Sequence, residues 1–283
     1  MTASIIDGKA IAKVIREEVK AAADKWREQG IIPRLDVVLV GDDPASVYYA
    51  KAKERLSQRV DVQMVLHQLP VDTSQEQLLQ LVEQLNADQA VHGIMIELPL
   101  PQHIDRHLIM AAVHPHKDVD GVNPLNRGYL ASGMDGLFPA TPLACLEIIK
   151  RSGLTLYKQE AVLVGWGETV GKPLVAMMLK QGATVTTCHS KTRDLKFHTT
   201  RADVIVTAVG RPRILTADMV KPGAIVIDVG INETEEGIVG DVDFEAVKEV
   251  AGHITPVPGG VGSVTTVLLF HNLLKGMSLQ QSQ

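Results

Sequence analysis

Short apolar runs alternate with amphipathic segments along the whole chain, a pattern typical of α/β proteins. In the first half, strands are predicted at 35–40, 62–69 and 93–98, and helices at 7–29, 45–58, 74–86 and 104–113. In the second half, strands are predicted at 161–164, 183–187, 203–208 and 224–229, and helices at 142–150, 170–180, 243–250 and 264–275. This alternation predicts parallel sheets covered by helices on both faces. The Gly-, Pro- and Asn-rich stretch at 114–141 is predicted to be an irregular crossing between two domains.

Composition narrows the function to the handling of a small molecule. The 283 residues are 45% hydrophobic, which is enough for two domains with buried cores. A net charge of −5 gives no sign of a nucleic-acid surface, and no apolar run approaches the roughly 20 residues of a membrane span. Cys145 and Cys188 are too few for a disulfide framework or a thiolate metal site, and the first ten residues lack the features of a signal peptide. We therefore expect a cytoplasmic protein without nucleic-acid or membrane partners.

A strand–turn–helix segment in the second half carries closely spaced glycines. The strand at 161–164 leads into Gly165, Gly167 and Gly171, and an apolar helix follows. Glycines in this context let backbone N–H groups approach a pyrophosphate, whose charge the helix N-terminus favours. The third glycine comes one residue later than in the usual dinucleotide fingerprint, but its context favours cofactor binding over a purely structural turn.

The next strand ends in a segment that bears on the choice of dinucleotide. NAD-binding proteins commonly carry an acid at this point for the ribose hydroxyl. This chain instead has His189, Ser190, Lys191 and Arg193, with no acid before Asp194. Hydroxyls and cations suit a 2′-phosphate, which favours NADP over NAD. A solvated basic turn is an equally good interpretation.

Tyr49 and Lys53 are four residues apart on the helix predicted after the strand at 35–40. They share one face at the carboxyl end of a strand, where open α/β sheets bind ligands. A desolvated lysine beside a phenol can carry protons. Spacing alone favours a lysine stem lying over the ring, and Tyr48 and Lys51 are competitors that periodicity does not exclude.

Three acidic residues are candidates for chemistry. Glu97 lies at the end of the strand at 93–98, and Asp118 and Asp120 lie in the loop at 117–121. Glu97 lies in an apolar run, where burial without a partner costs free energy. Lys53 is its candidate partner if the two strand ends are neighbours, and a solvated strand end is the alternative. Asp118 is expected to be a cap or turn residue and Asp120 a ligand acceptor, unless both simply form a turn. No His, Asp or Glu cluster has metal-ligand spacing, so no metal is expected.

Ordered motifs run through nearly the whole chain. They are DGK at 7–9, VGDDPAS at 40–46, LPLP at 98–101, KDVDG at 117–121, FPATP at 138–142, VGKP at 170–173, CHSKT at 188–192, DVGIN at 228–232, GDV at 240–242 and TPVPGGVG at 255–262. Together with Tyr49 and Lys53, these motifs resemble the bifunctional methylenetetrahydrofolate dehydrogenase/cyclohydrolase family. The run at 255–262 is very specific.

The resemblance implies a two-domain α/β fold and two consecutive reactions. The N-terminal α/β catalytic domain would cover 1–140 and be completed by a C-terminal helix at 264–283. A Rossmann-like NAD(P)-binding domain would cover 141–263, with the substrate in a cleft between the two domains. The homodimeric enzyme would oxidise 5,10-methylenetetrahydrofolate to the 5,10-methenyl cation and hydrate that cation to 10-formyltetrahydrofolate.

The resemblance also implies residue roles. Lys53 would be the general base and water activator, with Tyr49 stacking on the substrate and Asp120 hydrogen-bonding the pterin. Further substrate-binding residues would be Leu98, Pro99, Pro258, Gly259 and Gly260, the last three closing over the substrate. The expected dinucleotide-binding residues are Gly165, Trp166, Gly167, Thr169, Val170, Ser190, Lys191, Gly210, Gly230 and Ile231.

Two residues depart from the family pattern. Glu97 stands where the family normally has a glutamine, and a carboxylate in contact with Lys53 would hold the lysine in its charged form. This predicts a weakened cyclohydrolase with the dehydrogenase less affected, unless Glu97 is itself protonated and mimics the amide. Trp166 stands where the family often has an arginine that meets the 2′-phosphate, which leaves Ser190, with Lys191 or Arg193, for that role.

Other functions compete with the bifunctional enzyme. A dehydrogenase-only enzyme, or a catalytically silent paralogue that binds folate or nucleotide, would fit Glu97 and Trp166. Tyr49, Lys53 and Asp120 together argue against a silent protein. An unrelated Rossmann dehydrogenase would not carry the substrate-side motifs.

Overall fold

The computed structural model describes residues 2–235 and 237–281, and only the backbone of Ala45. Its strands are β1 (Ser4–Ile5), β2 (Arg34–Val40), β3 (Gln63–Leu69), β4 (Gly93–Ile96), β5 (Glu160–Val164), β6 (Thr184–Cys188), β7 (Val204–Thr207), β8 (Ile225–Asp228), β9 (Asn232–Thr234), β10 (Gly237–Val239) and β11 (His253–Ile254). Its helices are α1 (Gly8–Glu28), α2 (Pro44–Arg59), α3 (Gln75–Ala87), α4 (Arg106–Ala112), α5 (Pro124–Ala131), α6 (Ala140–Arg151), α7 (Gly171–Lys180), α8 (Leu195–Thr199), α9 (Phe244–Val247) and α10 (Val261–Gln281), with a 3-10 turn at Ala217–Met219.

The chain divides into two compact units, one built on a three-stranded sheet and the other on a six-stranded sheet. The three-stranded unit contains Val14–Ala140 and the chain from Thr266 onward. The six-stranded unit contains the chain up to Lys13 and Thr141–Thr265. The sequence analysis assigned residues 1–13 to the first domain, whereas here they join the second because β1 pairs with β11.

The three-stranded sheet has the order β3-β2-β4, and all its pairings are parallel. The central strand β2 is apolar enough to be buried along most of its length, as expected for a parallel strand covered on both faces. Helix α3 begins at a capping box formed by Ser74 and Gln77 and packs Leu78, Val82 and Leu85 into the core. Because the three strands are parallel, the carboxyl ends of β2, β3 and β4 lie at the same edge of the sheet.

The six-stranded sheet has the order β1-β11-β8-β7-β5-β6, again with parallel pairings throughout. Strands β5, β7 and β8 lie at its centre and are almost wholly buried. Strands β9 and β10 form a separate antiparallel pair. The predicted α/β class with parallel sheets is therefore confirmed.

One expectation about the crossing at 114–141 is wrong, because this stretch contains helix α5. Asn123 caps the helix by accepting the N–H of Leu125 at 2.7 Å, and Pro124 occupies its first turn. The short elements β1, β9, β10, β11 and α8 were also missed, since two to five residues give too little periodicity to detect.

Candidate functional site

The carboxyl ends of β2 and β4 bring Lys53 and Glu97 together. Asp43 ends the turn after β2 and caps α2 by accepting the N–H of Ser46 at 2.9 Å, so the helix starts at the sheet edge. Lys53 lies on the buried side of α2, whereas the competitor Lys51 is exposed. Glu97 directly follows β4, and its N–H donates to the carbonyl of Val38 on β2. The two strands are neighbours, which is the condition that the sequence analysis set for this pair.

Lys53 and Glu97 form a buried ion pair. Lys53 Nζ lies 2.6 Å from Glu97 Oε1, and the two side chains are 9% and 6% exposed. The carboxylate therefore occupies the lysine nitrogen with a charge-assisted contact. This contact is the one expected from the sequence if Glu97 is buried and the two strand ends are neighbours.

The loop that carries Asp118 and Asp120 lies beside the far edge of β4. The N–H of Ile94 on β4 donates to the carbonyl of Lys117 at 2.7 Å and holds the loop against the sheet. Asp118 is buried and accepts the N–H of Asn123 at 2.8 Å and the amide of Asn126 at 2.9 Å. Asp118 is thus a turn-forming residue, one of the two roles proposed for it.

Asp120 is within electrostatic reach of the ion pair. The pKa of Asp120 is raised to about 6, chiefly by desolvation and also by the charges of Asp118 and Glu97, while the charge of Lys53 lowers it. Asp120 as a whole residue remains partly exposed. Two carboxylates and one ammonium therefore meet at a single sheet edge in the three-stranded unit.

The expected aromatic and apolar contacts border this edge. Tyr49 is half exposed on α2, with its ring edge-on to Tyr48 at a centroid distance of 5.8 Å. Leu98 is partly buried, and its carbonyl accepts the Ser46 hydroxyl at 3.4 Å, while Pro99 is exposed. An exposed phenol one helical turn from a buried lysine can stack on a planar ligand.

The glycine turn after β5 lines a cavity of about 510 Å³ in the six-stranded unit. Of the expected residues, it is lined by Gly165, Trp166, Gly167, Ser190 and Lys191, together with His189, Ala208 and Val209. Gly165 has φ +126°, and a Cβ there would lie 2.3 Å from the carbonyl oxygen of Ala208. The turn can therefore come this close to the end of β7, the strand beside β5, only with glycine at position 165. The lining has a hydroxyl and two basic side chains and no carboxylate, which fits the phosphates of a dinucleotide.

The structure does not place the remaining expected dinucleotide-binding residues along this cavity. They are Thr169, Val170, Gly210, Gly230 and Ile231. The N–H of Gly210 donates to Asp241 at 3.1 Å and that of Gly230 donates to Asp228 at 2.9 Å, so neither donor is directed at a ligand. These two glycines instead shape the loops at the carboxyl ends of β7 and β8.

Two buried aspartates that were not predicted from the sequence, Asp228 and Asp241, organise those loops. Asp241 accepts the N–H groups of Val209, Gly210 and Arg211 at 2.6–3.1 Å. Asp228 accepts the N–H groups of Asp241 and Val242 at 3.0 and 2.9 Å, and burial raises the pKa of Asp228 to about 6. The signal was available in the DVGIN and GDV motifs, because an acid in an apolar run must have partners when buried.

The expected substrate-closing loop belongs to the six-stranded unit. Gly260 is buried, and a Cβ there would lie 2.4 Å from the carbonyl oxygen of Pro256. A Cβ on Gly8 would lie 2.2 Å from the carbonyl oxygen of Gly260, so the N-terminus packs closely on the loop. Pro258 is exposed and Gly259 has φ +108°.

The described residues contain neither a metal-binding cluster nor a helix that could span a membrane. Within 2–235 and 237–281, no group of three or more His, Cys, Asp or Glu side chains is arranged to hold a metal ion. Over the same residues, no helix combines the length and hydropathy needed to cross a membrane.

Two models of one family match most of the chain. The catalytic domain of tetrahydrofolate dehydrogenase/cyclohydrolase matches residues 6–120, and the NAD(P)-binding domain of the same family matches residues 139–281. Bifunctional protein FolD 2 of Desulfitobacterium hafniense strain Y51 is 58% identical over 281 residues, which is 99% of each chain. The chain belongs to the tetrahydrofolate dehydrogenase/cyclohydrolase family.

Solved structures of the family share the fold. The bifunctional FolD dehydrogenase/cyclohydrolase of Campylobacter jejuni superposes with a TM-score of 0.96 at 43% identity, covering 98% of this chain and 99% of its own. The Trypanosoma brucei FolD enzyme, solved with NADP and an inhibitor, superposes with a TM-score of 0.93 at 32% identity and covers all of both chains. The expected family is thereby confirmed.

Proposed function

We propose that this chain oxidises 5,10-methylenetetrahydrofolate to 5,10-methenyltetrahydrofolate with NAD(P) and hydrolyses that product to 10-formyltetrahydrofolate. The buried Lys53–Glu97 pair beside Asp120 is the observation that carries the assignment of the site. Membership of the family, shown by both of its domains, supports the two reactions.

The first reaction requires alignment more than acid–base chemistry. Bound NAD(P)⁺ accepts the hydride from the one-carbon bridge, and the positive charge that remains is shared by N5 and N10 of the folate. The chain's own contribution is to hold the folate, with Asp120 accepting the pterin N–H groups and Tyr49 stacking on the ring system. Leu98, Pro99 and the loop at Pro258, Gly259 and Gly260 complete the proposed substrate contacts. The negative charge of Asp120 also stabilises the cationic product.

The second reaction requires a group that accepts a proton from water. Water adds to the methenyl carbon, one proton is released, and the ring then opens to the 10-formyl product. Lys53 as the free amine is the proposed proton acceptor. Glu97 opposes this role, because its carboxylate lies 2.6 Å from Lys53 Nζ and this contact must break before the nitrogen can meet a water molecule. We therefore propose a cyclohydrolase that is weak relative to the dehydrogenase.

The residues that line the dinucleotide cavity support NADP as the cofactor, with NAD as the alternative. Ser190 and Lys191 line the cavity and can bind a 2′-phosphate, whereas no carboxylate lines it for an unmodified ribose. Trp166 is 47% exposed at the same cavity and brings no positive charge. The preference therefore depends on Ser190 and Lys191.

Assembly and location are also part of the proposal. A homodimer is supported by the family resemblance. A reducing cytoplasm is supported by Cys145 and Cys188, which are both buried and free.

One assay tests the function and separates it from the alternatives. The protein is incubated with tetrahydrofolate, formaldehyde and either NADP or NAD, and the nicotinamide and methenyl absorption bands are followed. We expect reduction of NADP with transient accumulation of the methenyl product, since its hydrolysis is slow. Methenyl product that disappears no faster than in buffer identifies a dehydrogenase-only enzyme. No turnover with either cofactor identifies a binding protein and refutes the proposal.

A further inference from the structure

Helix α10 packs closely along the segment that leads to Asp120. A Cβ on Gly276 would lie 2.4 Å from the carbonyl oxygen of His116. A Cβ on Gly93 would lie 2.6 Å from Leu273 on the same helix. The helix therefore meets the backbone at His116 directly through Gly276, and it meets β4 through the side chain of Leu273 packed on Gly93.

Asn272 is a buried polar residue of α10 that bonds to the backbone next to Asp120. Its side-chain amide donates to the carbonyl oxygens of Val119 and Phe138, each at 2.8 Å, and the residue is 1% exposed. Val119 directly precedes Asp120. A Cβ on Gly121 would lie 2.3 Å from the backbone carbon of Phe138, so this backbone abuts the other side of the turn. One amide thus bridges the two backbone segments that enclose Asp120.

We propose that Asn272 is a positioning residue for folate binding, which it promotes by fixing the backbone around Asp120. This inference rests on the proposed function, because it assumes that Asp120 holds the pterin. Without the amide, the buried carbonyl of Val119 and the partly buried carbonyl of Phe138 lose a donor, and such groups draw the backbone toward water. The Asp120 carboxylate then loses the fixed position that a substrate-orienting group requires.

The same helix supplies a matched control. Gln280 donates its amide to the carbonyl oxygens of His92 and His116, at 3.0 and 2.9 Å. These carbonyls precede β4 and Lys117, at the amino end of the sheet and away from Asp120. Asn272 and Gln280 therefore make the same kind of bond on one helix, and only Asn272 is next to the site.

The test compares Asn272→Leu with Gln280→Met in the full-length protein. Steady-state dehydrogenase kinetics give kcat and the KM values for methylenetetrahydrofolate and NADP, and thermal unfolding gives Tm. We expect both substitutions to lower Tm. Only Asn272→Leu should raise the KM for the folate, by about tenfold, the factor that corresponds to 1.4 kcal/mol, while the KM for NADP stays unchanged. If Asn272→Leu does not fold, Asn272→Ser is used, because it avoids the extra volume of leucine and still removes the side-chain amide.

A double-variant cycle shows whether Asn272 acts through Asp120. In the Asp120→Asn background the further rise in folate KM on changing Asn272 should disappear, because coupled residues are not additive. The inference is overturned if the rise persists in that background, or if Gln280→Met raises the folate KM equally. A wild-type protein without turnover overturns the proposed function instead, so the two failures are distinguishable.

Discussion

Replacing Glu97 with glutamine is the most direct perturbation of the buried ion pair. The amide keeps the size of the side chain and a hydrogen-bonding oxygen, but it removes the negative charge 2.6 Å from Lys53 Nζ. Two unit charges at this separation attract by about 6 kcal/mol at an effective dielectric constant near 20. Desolvation of both groups offsets much of that attraction, because the side chains are only 9% and 6% exposed.

The strength of the Lys53–Glu97 contact sets the size of the expected effect. A hydrogen bond to a charged group is worth about 1.5 to 3 kcal/mol and a neutral one about 0.5 to 1.5 kcal/mol, so the amide releases Lys53 Nζ to a water molecule more readily than the carboxylate does. Glu97→Gln should therefore raise the cyclohydrolase kcat by about tenfold or more if Lys53 acts as the free amine. Dehydrogenase kcat should change little, since hydride transfer needs no base.

The assay follows the loss of the methenyl band after addition of methenyltetrahydrofolate, with the uncatalysed rate subtracted. Glu54→Gln is the matched control, because it removes the same charge from the residue next to Lys53 at an exposed position. A Glu97→Gln variant that hydrolyses the methenyl substrate no faster than the wild type refutes the reasoning. An equal acceleration by Glu54→Gln also refutes it, because the effect would then come from net charge.

Three further predictions concern separate residues. Asp120 has a pKa of about 6 because burial disfavours its charge, so the folate KM of the wild type should rise as the pH falls through 6. In Asp120→Asn the KM should be high and independent of pH over the same range. Trp166→Arg should lower the KM for NADP by about tenfold without changing that for NAD, the scale of one charge-assisted hydrogen bond. Lys117→Met should lower the free energy of unfolding in urea by about 2 to 4 kcal/mol, because Lys117 Nζ donates to three carbonyls at the end of α3.

Each of these predictions has a result that contradicts it. A folate KM in Asp120→Asn that keeps the pH dependence of the wild type would assign that dependence to another group. Equal changes in KM for both dinucleotides in Trp166→Arg would show that this position does not face the 2′-phosphate. An unchanged urea midpoint in Lys117→Met would mean that water replaces the ammonium at no cost.

Local patterns were sufficient for most of the fold. Long periodic segments such as α1 and α3 were predicted to within a residue or two, because their buried faces repeat over several turns. Helix α5 was missed even though Asn123 and Pro124 form a standard start, because glycines and short length obscured its periodicity. The order of the strands could not be predicted from local patterns, because β4 pairs with β2 although β3 lies between them in the sequence.

The candidate site was predicted only in part. The Lys53–Glu97 contact joins residues 44 positions apart, and the sequence supplied the reason for a partner but not the proximity of the two strands. Asn272 gave no signal, because a lone amide on an apolar helix has no charge or motif to single it out. The dinucleotide contacts of Gly210 and Gly230 stay predictions, and their N–H bonds to buried carboxylates were beyond the sequence because they depend on tertiary packing.

Nucleotide binding at the dinucleotide cavity can be followed by the fluorescence of Trp166. The chain has only two tryptophans, Trp26 and Trp166, and Trp166 lines that cavity with about half of its surface open to solvent. A nucleotide seated beside it would change the emission of this fluorophore, and reduced nicotinamide would add energy transfer. With Trp26 replaced by phenylalanine, occupancy could be titrated without turnover, labels or folate.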